Sequence, residues 1–278
     1  MKKEPLVTVL MSVYNGEKFL CEAIESILNQ SFEDFEFLII NDGSIDASRE
    51  IILRYDDPRI NLVDNYKNLG LIRSLNKGIS LAKGKYIARM DADDISMPGR
   101  LEKQVEFMDA NEQVAVCGAR GILINENGQK VGDIAPNAYT SEEIDARILI
   151  MNQFIHPAVM LRKKCILDIG GYNKKANYAE DYRMWVDLLI NNHKLYNLKS
   201  VLIKYRIHEE SVSVKKREKQ EDSACKIIQY GLKKLYKKHF SLKDIKLMRK
   251  VYFYNDQSIT DEELDSINDK FGFLLLER

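Results

Sequence analysis

The sequence predicts an α/β fold, a mostly parallel central sheet flanked by helices, with a helical C-terminal extension. Three observations predict it. Short β-branched runs alternate with segments of helical apolar spacing through the first hundred residues, the apolar runs end in polar clusters, and the chain from about residue 217 is helical and lysine-rich. Strands separated by helices imply right-handed crossovers and a largely parallel sheet covered on both faces.

The elements follow in order. LVTVLMSV (6–13) is a first strand, and GEKFLCEAIESILNQ sets Phe19, Leu20, Ala23, Ile24, Ile27 and Leu28 at helical spacing. FEFLIINDGS (35–44) is a second buried strand ending in Asn-Asp-Gly, followed by a helix with Ile51 and Ile52. INLVDN (60–65), a helix across GLIRSLNKGISLAKG and the strand KYIARMD complete the parallel half. After Pro98 come a helix over LEKQVEFMDAN, the strand QVAVCGA and a hairpin, ILINENGQKV, turning at Asn127-Gly128. From about residue 141 the spacing predicts a helix (SEEIDARILIMN), the strand-like HPAVMLR, a break at Gly170-Gly171, the helix AEDYRMWVDLLINN and the strand LKSVLIKYRIH.

Length and composition narrow the function classes. With 278 residues, 45% hydrophobic and 30% charged, the chain is an ordinary globular protein long enough for one large domain with a tail. Lys plus Arg and Asp plus Glu both total 42. The balance is local, however: Lys199 to Lys250 carries 16 Lys or Arg against 6 Asp or Glu. Cys21, Cys117, Cys165 and Cys225 lie far apart without a C-x-x-C pair, so they read as reduced core thiols and not as a disulfide frame or a zinc site. No apolar run reaches the roughly 18 residues of a membrane span, so any membrane contact is expected to be peripheral. The N-terminal apolar run is broken by threonine and serine and lacks a small-residue cleavage site, unlike a signal peptide.

Familiar phosphate motifs are missing. SVYNGEKF after the first strand is no G-x-G-x-x-G, GISLAKGKY fails the P-loop spacing, HEESVS lacks a second histidine, and no glycine- and arginine-rich nucleotidyltransferase loop is present. In an open parallel sheet, ligands bind outside the carboxyl ends of the strands. Here those ends are SVYNG, NDGS, DNYKN and MDADD, and three of the four contain aspartate.

MDADD is the strongest signal. If the chain stays extended through it, the strand period sends Asp91 and Asp93 to one side, where they repel unless a cation or donor sits between them. Such hard oxygen ligands suit Mg²⁺ or Mn²⁺, and the bland alternative is an acidic turn or cap with Asp94 and Ser96. In AEDYRMW (179–185), Glu180 and Asp181 are either helix-start carboxylates favoured by the dipole, or one of them is a general base for a hydroxyl nucleophile. In YRIHEESVS (205–213), Arg206 and His208 alternate onto one side, and His208 completes a metal site only if it folds beside Asp93. His156 is expected to line the acceptor half or to be structural, and Trp185 to be core.

In this order, SVYNGEKFLCEAIESILNQS, FEFLIINDGSIDAS, KNLGLIRSLNKGISLAKGKYIARMDADDISMPGRLEKQ, GGY, AED and YRIHEES resemble the family 2 glycosyltransferases, inverting enzymes of the GT-A fold. The resemblance runs from about residue 6 to 213. It implies a catalytic domain over 1–215, with a nucleotide-sugar half (1–118) and an acceptor half (119–215), followed by the basic extension 216–278. It implies that Val13, Tyr14 and Asn15 cradle the nucleoside and that Asp42 accepts from the base, commonly uracil. Asn68 and Arg73 would lie along the nucleotide, Asp91 on the ribose or the cation's shell, Asp93 and His208 on Mn²⁺ or Mg²⁺, and Asp181 would be the base. Arg206 would add a charge-assisted donor to the diphosphate.

The implied partners are a nucleotide-sugar donor, UDP-sugar favoured, and a glycan or polyprenyl-linked acceptor in surface polysaccharide assembly; nucleic acid is not expected. The competing readings are a non-catalytic nucleotide-sugar or glycan-binding module of the same fold, and a nucleotidyltransferase. In the tail, Ile228, Leu232, Leu235 and Tyr236 mark one helical face flanked by Lys226, Lys233, Lys234, Lys237 and Lys238. That pattern suits a cytoplasmic enzyme peripheral on an anionic membrane face, a helix packed on the domain, or a dimer contact.

Overall fold

The computed structural model describes residues 4–209, 215–254, 258–272 and 274. Four strands, β1 (Val7–Val13), β2 (Phe35–Asn41), β3 (Ile60–Asp64) and β4 (Tyr86–Asp91), lie in the order β3-β2-β1-β4, all parallel. Helices α1 (Leu20–Leu28), α2 (Ser48–Leu53) and α3 (Leu71–Leu81) make the crossovers. The strands are near-continuous apolar runs because both faces are covered. Val9, Met11, Phe37 and Ile39 point into one core with Leu20 and Ile24, while the alternating Leu10, Leu38 and Ile40 point into a second with Trp185.

Beyond β4 the sheet is mixed. The remaining strands are β5 (Ile95–Ser96), β6 (Val114–Ile124), β7 (Lys130–Ile134), β8 (Met160–Arg162) and β9 (Lys194–Arg206). β8 runs antiparallel between β4 and β6, β9 is parallel to β6, and β5 and β7 pair antiparallel with β9 and β6. The parallel expectation therefore holds for the first half. The short return strand β8 inverts the direction once the chain no longer makes a helical crossover. The predicted hairpin forms, with Gly128 at φ 75°.

The remaining helices are α4 (Arg100–Ala110), α5 (Ser141–Arg147), α6 (Lys163–Asp168), α7 (Glu180–Ile190), α8 (Arg217–Tyr236), α9 (Leu242–Tyr252) and α10 (Asp261–Phe271). Two local expectations change. The helix expected over 141–152 ends at Arg147, and His156–Ala158 is a 3-10 turn leading into β8, since Pro157 supplies no N–H for a ladder.

The tail helices pack on the domain. Ile228 and Leu232 are fully buried in the same core as Trp185, and Leu235 and Tyr236 pack against it. At Gly231 a Cβ would stand 2.5 Å from Leu149 Cδ2, so a larger residue there would have to displace the Leu149 side chain or α8. Arg249 of α9 clasps Glu221 of α8 with two bonds (2.7 and 2.8 Å) and donates to the Ile150 carbonyl at 2.6 Å. Of the three readings of this apolar face, packing on the domain is the one seen, and the flanking Lys226, Lys233, Lys234, Lys237 and Lys238 remain exposed. Among the described residues no helix is long and apolar enough to cross a membrane. All four cysteines are free, and Cys21 is exposed, contrary to its reading as a core residue, because it lies on the outward face of α1.

Candidate active site

The carboxyl ends of β1 and β2 are stitched together by side chains that accept from main-chain N–H groups. Asn15, at φ 52°, accepts from Ile45 N at 3.0 Å and donates its own N–H to Ser44 Oγ at 3.1 Å. Gly16 N donates to Ser48 Oγ at 2.9 Å, and Glu17 accepts from Ala47 N at 2.9 Å. This tip leaves Tyr14 48% exposed beside Val13, whose side chain is buried.

Asp42 is buried, and its carboxylate shapes the next loop, taking N–H bonds from Leu69 and Gly70 (both 2.9 Å) and one from Asn65 Nδ2 (2.8 Å). Gly43 (φ 71°) follows it because a Cβ there would lie 2.4 Å from the Lys67 carbonyl carbon. That packing sets the exposed Asn68 and Arg73 at the start of α3.

Strand β4 ends at Asp91, and the chain then turns, so the two aspartates do not share a face by strand period. The turn achieves the convergence instead: carboxylate oxygens of Asp91, Asp93 and Asp94 all lie within 4.8 Å of one another. Asp94 is buried, and its Oδ1 accepts from Arg206 N at 2.8 Å. Burial, with Asp93 and Asp91 alongside, pushes its pKa well above the ordinary 3.8. His208 does fold beside Asp93, its Nε2 2.9 Å from Asp93 Oδ2 and its ring against Phe19. Glu210 and Ser211–Ser213 of the same motif lie outside the described residues.

Arg206 takes a different place from the one expected on the diphosphate. Its guanidinium is fully buried, donating to the Asp93, Asn125 and Glu126 carbonyls (2.8, 3.2 and 3.0 Å) and to Glu22 Oε2 (3.0 Å), over the Phe19 ring. The side chain fastens the acidic turn from behind. A strand end buried between β5 and the hairpin turns its long side chain to unsatisfied carbonyls before it can turn it to solvent.

A cavity of about 900 Å³ opens beside this turn, lined among others by Arg73, Asp91, Asp93, His156, Glu180 and Asp181. Of the expected residues, Val13, Tyr14, Asn15, Asp42, Asn68, Arg206 and His208 lie outside its lining. Asp181 stands in the first turn of α7, where Ala179 occupies the N-cap position and no side chain caps. Its Oδ2 accepts from Asn152 Nδ2 at 2.8 Å. Burial raises its pKa, and main-chain N–H groups, Asn152 and Arg89 oppose the rise. Burial and the Asp181 charge raise Glu180 to about 7.

Arg89, which sequence reasoning passed over, lines the same cavity and is 3% exposed. It forms an ion pair with Asp91 through Nη1, while its Nε has no hydrogen-bond acceptor. The signal was present: Arg89 precedes Asp91 by two positions in a strand, so both side chains leave the same face. Arg100 was also missed. It is fully buried and ties the Arg89 and Val159 carbonyls together (2.7 and 3.3 Å), which explains the PGRLEKQ stretch structurally. His156 is half-buried and bonded to Tyr172 Oη at 2.7 Å, and its surroundings and the Arg89 charge hold its pKa well below the usual imidazole value. Asn76 of α3 fixes Tyr172 through its N–H and carbonyl, both at 2.8 Å.

The family model for glycosyl transferase family 2 matches residues 8–170. The chain belongs to that family. An uncharacterised glycosyltransferase of Methanocaldococcus jannaschii is 36% identical over 259 residues, 91% of this chain and 87% of that one. The O-antigen biosynthesis glycosyltransferase WbnJ of Escherichia coli is 36% identical over 211 residues, 74% of this chain and 81% of its own. Among solved structures, S. aureus TarS residues 1–349 in complex with UDP-GlcNAc superposes with a TM-score of 0.69 at 17% identity, over 96% of this chain and 80% of that one. The mannosyltransferase PcManGT of Pyrobaculum calidifontis, in complex with GDP-Man and Mn²⁺, gives 0.61 at 15% identity, over 91% and 70%. At those identities the likeness shows the fold, and this family 2 glycosyltransferase has the GT-A fold.

Proposed function

We propose that the protein is an inverting glycosyltransferase that moves a hexosyl or N-acetylhexosaminyl group from a UDP-sugar to a hydroxyl of a glycan or lipid-linked oligosaccharide. One observation carries the reading: the acidic turn and the raised carboxylate Asp181 line a single cavity of a size that suits a nucleotide sugar. The three converging carboxylates offer only hard oxygen donors, which fit Mn²⁺ or Mg²⁺. Asp91 and Asp93, with His208 at Asp93, would hold the ion, and when bound it neutralises charge growing on the departing nucleoside diphosphate.

The rest is the work of this chain's own groups. Asp181 takes the proton of the acceptor hydroxyl as the new bond forms, and burial makes it a stronger base than a solvated carboxylate. Asn152 occupies Oδ2 and so presents Oδ1 to the incoming hydroxyl. The Arg89 charge opposes the rise that burial causes at Asp181. Attack from the Asp181 side, away from the diphosphate, inverts the anomeric centre. On the nucleotide, Tyr14 and Asn15 would flank the nucleoside at the β1 tip, where Val13 is main-chain wall. Asp42, with three of its roughly four acceptor positions filled, has one left for the base. Asn68 and Arg73 would follow the phosphates.

Relatives named for amylovoran and O-antigen biosynthesis support surface polysaccharide as the product class. The exposed lysines of α8 support a cytoplasmic enzyme working against the inner membrane face. A thermal-shift screen of UDP-, GDP- and dTDP-sugars with Mn²⁺, followed by UDP release, tests the reading. A UDP-sugar should stabilise most and be consumed only with the metal; no stabilisation by any sugar nucleotide would sink it.

A further inference from the structure

A second recess, of about 370 Å³, adjoins the active-site cavity and shares Asn177 and Tyr178 with it. Its wall carries Lys175, Arg183, Lys219 and Lys226. The carboxylate that lines it, Asp222, is engaged by Lys246 at 2.7 Å, and Arg183 by Asp187 at 2.8 Å. No carboxylate among the described residues pairs with Lys175, Lys219 or Lys226. The lining thus holds Lys175, Lys219, Lys226 and Arg183 against the single carboxylate of Asp222, which Lys246 binds directly and Lys226 feels only at longer range, and such a surplus of positive charge favours a polyanionic group.

The threshold between the two spaces is held in a costly conformation. Tyr178 stands at φ 68°, a left-handed backbone for a bulky residue, and its ring lies 5.7 Å from Lys219 Nζ. Ser223 of α8 fixes the loop by donating to the Asn177 carbonyl at 2.9 Å. Gln220, one residue past Lys219, lines the main cavity itself. Helix α8 thus contributes to the walls of both spaces, Gln220 to the first and Lys219, Ser223 and Lys226 to the second.

We propose that this recess is a subsite for a phosphate or diphosphate group carried by the acceptor, with Lys175, Lys219 and Lys226 as its charged donors. The proposal rests on the glycosyltransferase reading and names the acceptor's chemistry: an anionic attachment a short distance from the hydroxyl that receives the sugar. A neutral glycan would leave three lysines facing empty solvent across a strained loop.

Geranyl diphosphate, with geraniol as its uncharged counterpart, probes the site by calorimetry on the full chain in EDTA, which removes metal from the donor side. Geranyl diphosphate should bind, geraniol should not, and K219E/K226E should weaken the diphosphate about tenfold or more. UDP binding with Mn²⁺ should be unchanged in that variant, which also shows that it is folded; K219A/K226A serves as a milder second variant. Equal diphosphate affinity in wild type and both variants overturns the subsite. So does a lysine dependence seen only with phosphatidylglycerol vesicles, which would make the recess a membrane headgroup contact. If the lysine-dependent diphosphate binding is present but UDP fails to bind wild type with Mn²⁺, the donor reading falls and the subsite stands.

Discussion

On the proposed reading, the donor side and the acceptor side of this molecule are built differently. On the donor side, residues 13–17, 42–48 and 65–70 sit at the ends of adjacent parallel strands and are tied to one another by side chains accepting main-chain N–H bonds. On the acceptor side, Asp181 rests on Asn152, the 177 loop hangs from Ser223 of the tail, and Arg249 of α9 braces Glu221 of α8. The first is a set of short motifs fixed by strand order; the second is an assembly of distant segments. The donor chemistry should therefore survive changes in the tail, whereas the acceptor site should not.

The largest effect should come from breaking the acidic turn, which lines the same cavity as Asp181. Asp93→Asn removes a hard ligand and the His208 partner, so Mn²⁺-dependent nucleotide binding, followed by calorimetry, should be lost along with about 10³-fold or more of turnover. Arg206→Ala strips the acidic turn of its clasp and leaves four acceptors without a donor. Denaturant unfolding should register a loss of about 3–5 kcal/mol, and a loss under 1 kcal/mol would show that the turn holds its shape unaided.

A subtler test separates electrostatics from scaffolding. The Arg89 charge lowers Asp181 against the rise caused by burial, so Arg89→Met should move the acid limb of kcat/KM to higher pH; an unmoved limb would mean that Arg89 only fills space. The smallest effect concerns Asp94, whose folded pKa is raised above its unfolded value. Stability linked to it is full below that unfolded value and is lost as pH rises through the folded pKa. Metal-free Asp94→Asn should therefore melt higher than wild type at pH 8, and the advantage should vanish on acidification to about pH 4.

The same contrast explains what was legible in the sequence. Asp42, Asp91, Asp93 and Asp181 stand out as candidates in the sequence because each lies at an element end within a short polar cluster, and His208 because it alternates with Arg206 at a strand end. Arg206 was misplaced because a strand period gives the side a residue leaves from, not whether carbonyls wait there. Asn152, Gln220 and the lysine recess belong to segments from 134 to 227 brought together by α8, and no local spacing announces such a meeting. For the tail, the amphipathic pattern was visible, but the partner of its apolar face, the core around Leu149 and Val186, was not.

The most direct test of the account is UDP release by Asp181→Asn under saturating UDP-sugar and Mn²⁺, beside the affinity of the same variant for UDP. The account predicts unchanged UDP binding with turnover lowered by about 10²–10⁴-fold, because the donor side is intact and only the base is gone. Turnover at the wild-type rate would contradict it.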